Sequence, residues 1–167
     1  MKYFFFTILA LLLLLFSCKK IEKEQTQQDK NLPFVKTWYD TVMMIPMEER
    51  LEIKQNHTFK LVGGACTAGW WSEGSWVRKN DTIILNSFKP KECIHLSEYG
   101  AMCSTMEEFD KYPPEPSFKD CKPDSEEHYE VFINEKFYIK NDTLIHVKQN
   151  KKCGGQDIIY SPLKKVH

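Results

Sequence analysis

The chain has 167 residues and carries 23 Lys and Arg against 23 Asp and Glu, so its formal net charge is zero. That balance removes the electrostatic case for nucleic acid, whose binding rests on neutralising phosphates. Without residues 1–17, which read as a leader, about 150 residues remain, one domain's worth and enough to bury a sizeable core.

Lys2 precedes an apolar run from Phe4 to Phe16 that is interrupted only by Thr7. The run is shorter than the roughly 20 apolar residues a membrane-spanning helix needs, and suits the hydrophobic region of a signal peptide. It ends in Leu15-Phe16-Ser17-Cys18, which resembles the lipobox of bacterial lipoprotein precursors. The resemblance implies cleavage before Cys18, thioether diacylation of that cysteine, and acylation (palmitate-type) of the new amine. Several acyl chains anchor stably where one alone is marginal. Two other readings compete. An uncleaved membrane anchor is opposed by Lys19, Lys20 and the polar stretch that follows. An ordinary secretory cleavage would leave Cys18 a thiol. Lys19 stands where an aspartate would suggest inner-membrane retention, and no acidic run follows the cysteine. These features imply an outer-membrane lipoprotein facing the periplasm. Residues 18–32 are polar, charged and free of aromatics, so they read as a lipidated tether, and a folded domain is expected over 33–167.

From there strand patterns dominate. A first strand falls within Trp38–Met44. Arg50–Gln55 alternates Leu51 and Ile53 with Glu52 and Lys54. Asn56-His57 marks a turn, and Thr58–Val62 places Phe59 and Leu61 on one face, completing a hairpin that Gly63-Gly64 is expected to end. Trp70–Val77 and Thr82–Asn86 read as strands joined by a turn at Asn80-Asp81. Tyr129–Ile133, Lys136–Lys140, a turn at Asn141-Asp142, Thr143–Val147 and Ile158–Tyr160 follow. The two KNDT segments, Lys79–Thr82 and Lys140–Thr143, share a hairpin chemistry in which Asn and Asp tolerate positive φ.

About eight antiparallel strands and no long amphipathic helix predict an all-β barrel or sandwich. Trp38, then LEIKQNHTFKL (51–61), then GSWVRKNDTIIL (74–85) is similar to small lipocalin-like lipoproteins of Gram-negative bacteria. The resemblance implies a small up-and-down barrel that binds a ligand or partner, and it transfers no catalytic residues.

Residues 88–128 interrupt the strand rhythm with scattered prolines and an acidic bias. The stretch reads as a long loop insertion, with a short helix expected within Ser97–Phe109. Besides Cys18 there are five cysteines: Cys66, Cys93, Cys103, Cys121 and Cys153. In an oxidising compartment disulfides are expected, two of them within the chain, at least one tying the insertion, and one thiol left over. Cys93, His95, Cys103 and Met106 are soft or imidazole donors that would suit a copper site. No paired Cys-x-x-Cys spacing accompanies them, so neither a metal nor another cofactor is expected.

His57 reads as a turn residue, His167 is terminal, and His146 sits on the strand face opposite Ile145 and Val147, so all three are expected at the surface, as are His95 and His128. Trp70 and Trp76 should face one way and Trp71 the other, giving a core face and a candidate binding face. Three Asp-Thr-apolar triplets, beginning at Asp40, Asp81 and Asp142, are similar to a bacterial O-glycosylation signature, although turn chemistry explains two of them. No nucleophile-base arrangement supports an enzyme. Three functions fit the sequence: a binding module for an apolar ligand or a protein partner, a periplasmic inhibitor or immunity lipoprotein, and a copper or redox-stress sensor.

Overall fold

The computed structural model describes residues 31–41, 47–101, 106–148 and 158–163. The chain divides into Met1–Pro33 and Phe34–His167, and the strands all belong to the second unit. They are β1 (Thr37–Asp40), β2 (Met47–Ile53), β3 (Thr58–Ala65), β4 (Ala68–Lys79), β5 (Thr82–Ser87), β6 (His95–Glu98), β7 (Glu115–Pro116), β8 (Glu127–Val131), β9 (Glu135–Lys140), β10 (Thr143–His146) and β11 (Ile159–Ser161), with a helix α1 (Met106–Lys111) between β6 and β7.

Eight of these strands close a ring. β1 through β5 pair in sequence order, β5 pairs with β9, β9 with β10, β10 with β11, and β11 returns to β1, each contact antiparallel. The domain is therefore a closed up-and-down barrel with one insertion, as the strand pattern predicts. Closure pairs both edges of every barrel strand, which removes the aggregation hazard of an open sheet.

Alternation along the strands fills the interior with large side chains. Trp38, Trp76, Phe59, Phe137, Leu61 and Tyr160 are at most 2% exposed and belong to one core cluster. Burying each such side chain contributes about 1.5–3 kcal/mol. The tight turns at 54–57, 80–81 and 141–142 lie at one end, and the last residues of β1, β3, β5 and β10 at the other, the mouth. His57, Asn80, Asn141 and Asp142 take positive φ in these turns, the conformation tight hairpins require. At the closed end the Trp38 indole donates to Phe34 O at 2.9 Å and the Trp76 indole to Lys54 O at 2.9 Å.

Three expectations are corrected. β3 does not end at Gly63-Gly64 but runs on to Ala65. Gly63 belongs in the strand because the Trp70 indole lies over it where a Cβ would sit. The segment around Tyr129 is no barrel strand. As β8 it lies in parallel beside Gly69–Trp71, the part of β4 that runs past β5, and β6 then pairs with β8 and β7 with β6. The insertion, spanning 88–134 between β5 and β9, is thus a small sheet continuing the barrel wall rather than a bare loop. The helix expected within 97–109 begins at Met106, because His95–Glu98 is claimed by pairing with β8.

The insertion has its own anchorage. Tyr129 and Ile94 are buried yet stand outside the barrel core cluster. The Tyr129 hydroxyl reaches Phe88 O at 2.7 Å and Glu73 O at 2.8 Å. Ser117 Oγ donates to Glu92 O at 2.6 Å and accepts from Ile94 N at 3.2 Å. A Cys93–Cys121 disulfide, with Cα atoms 5.9 Å apart, closes this knot.

Candidate functional site

The mouth of the barrel holds a cluster of polar side chains that the hydrophobic pattern does not advertise. β2 brings Glu49 inward on the same alternation that buries Leu51 and Ile53. One Glu49 oxygen accepts from the Trp70 indole at 2.5 Å, and the other from the Tyr160 hydroxyl. The Tyr160 hydroxyl is also 2.7 Å from that of Tyr99, which the insertion supplies. A carboxylate at one end orders this chain, because Tyr99 can donate to Tyr160 and Tyr160 to Glu49.

Burial pushes the Glu49 carboxyl above the ordinary carboxylate range; the Tyr160 and Trp70 hydrogen bonds oppose that shift and the nearby Asp40 adds to it. Burial, followed by the charge of Glu49, holds the Tyr99 and Tyr160 hydroxyls well above the ordinary tyrosine value. All three groups therefore keep their protons more readily than they would in water, which favours hydrogen bonding over charge chemistry.

Beside this chain, β9 and β10 place Glu135 and His146 against each other, with 2.6 Å between Oε2 and Nε2. His146 Nδ1 is buried and finds no hydrogen-bond partner among the described residues. An unmet buried polar group costs about 1–3 kcal/mol. The Tyr99 ring stacks on Phe132 at 3.9 Å and meets His146 edge-on at 5.3 Å. Gly100 follows at φ 71°, and a Cβ there would press on the His146 ring, so the insertion's backbone passes close over the imidazole.

The expected site residues fall in several places. Trp70 and Trp76 face inward, Trp76 fully buried and Trp70 packed against the core at the mouth. Trp71 faces outward, half-buried, edge-on to Tyr129 at 4.8 Å. It lines a shallow groove of about 320 Å³ with Lys60, Val62 and Glu127. Cys93 is spent in the disulfide and so offers no thiolate to a metal. Cys66 is exposed in the β3–β4 turn, without a disulfide partner among the described residues. Cys18, Cys103 and Cys153 lie outside the described residues, as does His167. Met106 opens α1.

His95 pairs across β6 and β8 with His128, their rings 5.5 Å apart. Burial, and then His95 beside it, pulls the His128 imidazole below its ordinary range. Among the described residues no three His, Cys, Asp or Glu side chains converge as a metal site. The histidine expected at the surface of β10 is buried: Leu144 and His146 face the core, and Ile145 faces outward.

Glu49, Tyr99, Glu135 and Tyr160 were not singled out by sequence reasoning, and His146 was expected at the surface. Their signal is positional: Glu49 shares a strand face with Leu51 and Ile53, and Glu135 with Phe137. No protein-family model matches the chain, and no curated protein or solved structure matches it.

Proposed function

We propose that the chain is an exported lipoprotein, cleaved before Cys18 and anchored through it in the outer membrane, whose barrel is a non-enzymatic binding module that engages a protein partner through the insertion at its mouth. One observation carries the partner reading. The barrel interior is occupied by the protein's own aromatic side chains, while the cross-linked insertion exposes Phe88, Phe118 and Ile133 at 48%, 36% and 60%. Apolar side chains held out on an ordered, cross-linked element suit an interface core. Lys89 lies over the Phe118 ring, but over 115–127 the insertion carries Glu115, Asp120, Asp124, Glu126 and Glu127 against Lys119 and Lys122, an acidic balance that favours a partner with a basic surface through steering. A filled lumen counts against a large apolar ligand, and the Cys93–Cys121 bridge weakens a copper or thiol-sensing role for Cys93. An inhibitor or immunity lipoprotein is one form the partner reading takes, with the insertion as the inhibitory surface.

The test is site-specific photo-crosslinking in the intact envelope of the source cell. A photo-reactive residue at Phe118 or Ile133 should give a discrete protein adduct, and the same residue at Lys79 or Lys140, at the closed end, should give none. Adducts of equal yield at both ends, or none at the insertion, would refute the partner reading. Loss of radiolabelled acyl incorporation in Cys18→Ser tests the anchor separately.

A further inference from the structure

The Tyr99 side chain occupies the barrel mouth as a ligand would. It comes from the insertion, not from a barrel strand, yet it is 2% exposed within the barrel core cluster. Its ring stacks on Phe132 at 3.9 Å, meets His146 edge-on at 5.3 Å and lies tilted to Phe137 at 5.9 Å. Its hydroxyl is met by Tyr160 at 2.7 Å, itself oriented by Glu49. One flat face, the edge and the hydroxyl of this phenol are therefore each met.

One polar group of the seat is left unanswered. His146 Nδ1 is buried without a hydrogen-bond partner among the described residues, directly beside the Tyr99–Gly100 backbone. His146 itself is only 6% exposed, and its Nε2 is fixed by Glu135 at 2.6 Å. The imidazole is thus held in place with its second nitrogen at the backbone end of the seat, beside Gly100. Tyr99 satisfies the hydroxyl end but offers nothing to this nitrogen. An occupant with a phenol and a second hydrogen-bonding group would satisfy both.

We propose that the mouth is a binding site for a small phenol bearing a second polar group, and that Tyr99 is the built-in occupant which such a ligand displaces. Displacement requires the Tyr99 segment, which follows β6, to move. Its backbone is tied to β8 by Tyr99 N to Val131 O at 3.1 Å, while the Cys93–Cys121 knot and the β8–β4 pairing hold the rest of the insertion in place. The free ligand then competes with an internal group, so its apparent affinity is lowered by the fraction of time Tyr99 is seated. Weakening the Tyr99 hydrogen bond should raise that affinity without changing the seat.

The proposal does not rest on the protein-partner reading, which concerns the exposed face of the insertion. It is tested on the mature chain, residues 18–167, carrying Cys18→Ser so that only the lipid is missing. Dissociation constants for 4-hydroxybenzyl alcohol, p-cresol and toluene are measured by ligand-observed NMR, with Tyr99→Phe and Tyr160→Phe as variants. The expected order is 4-hydroxybenzyl alcohol tighter than p-cresol, and p-cresol tighter than toluene by about tenfold, the value of one well-made hydrogen bond. Tyr99→Phe, which keeps the ring and cannot leave a large hole, should bind 4-hydroxybenzyl alcohol several-fold more tightly. Tyr160→Phe should erase the p-cresol preference over toluene. No binding to Tyr99-bearing protein, together with binding to Tyr99→Ala, would show that Tyr99 is a permanent part of the core and overturn the proposal. Equal binding of toluene and p-cresol would overturn it as well, since the hydroxyl partner would then be idle. Neither result bears on the photo-crosslinking outcome.

Discussion

Glu135 Oε2 lies 2.6 Å from His146 Nε2, and the two side chains are 1% and 2% exposed. A pair this enclosed is weak evidence for net stability, because both groups lose their hydration. Removing one partner is a different matter, since the other then stays buried and unmet. Glu135→Ala should cost about 3 kcal/mol in urea unfolding. Glu135→Met combined with His146→Leu should recover most of that loss. If the double variant is no more stable than Glu135→Ala, the packing around the pair, not the unmet partner, sets the loss.

The buried Glu49 gives the fold a pH dependence whose sign is fixed. Burial raises its carboxyl in the folded state, against the Tyr160 and Trp70 hydrogen bonds. A raised folded value means that its contribution is fully present below the unfolded value of about 4.3 and is lost as pH rises through the folded value. Glu49→Gln keeps a hydrogen-bonding amide and cannot titrate. The wild type should therefore lose stability relative to Glu49→Gln as pH climbs from about 4 towards neutrality. Parallel curves over that range would mean that Glu49 titrates alike in both states.

The Cys93–Cys121 bridge spans 28 residues and lies within the insertion, away from the closed ring of strands. In the chain-entropy account it stabilises by about 3–4 kcal/mol. Because the barrel closes without it, Cys93→Ser with Cys121→Ser should loosen the insertion before the barrel. Hydrogen exchange should accelerate in β6 and β8 while β1, β2 and β10 stay protected. Uniform acceleration across all strands would show that the insertion and the barrel unfold as one unit.

The barrel itself was legible because its strands alternate and its turns carry Asn and Asp where positive φ is needed. Lys79–Thr82 and Lys140–Thr143 sit at hairpin turns in both places, with Asn80 and Asn141 left-handed. The mouth was not legible, for two reasons. In β10 a one-residue choice of face decides whether Ile145 or His146 is buried, and apolarity alone favours the wrong one. Tyr99 reaches the core from an insertion whose path is set by parallel pairing of β8 with β4 and β6, a long-range contact without a local pattern. Glu49 and Glu135 were within reach, since each continues the inward face of its strand, but an acidic residue there reads as a strand end.

Trp71 and Trp76, five residues apart and so on opposite faces of β4, separate binding from folding. Trp76 is 1% exposed, meets the tilted His57 ring at 4.8 Å and donates to Lys54 O at 2.9 Å. Its truncation to Ala should cost about 3–5 kcal/mol, enough to unfold a marginal domain. Trp71 sits on the outer face at the groove with Lys60, Val62 and Glu127, so Trp71→Ala should cost clearly less. If the groove adjoins the partner surface, Trp71→Ala should also weaken photo-crosslinking from Phe118 in a domain that remains folded by circular dichroism. Unchanged crosslinking in that folded variant would confine the partner surface to the insertion's exposed Phe88, Phe118 and Ile133 and leave Trp71 a packing role against Tyr129.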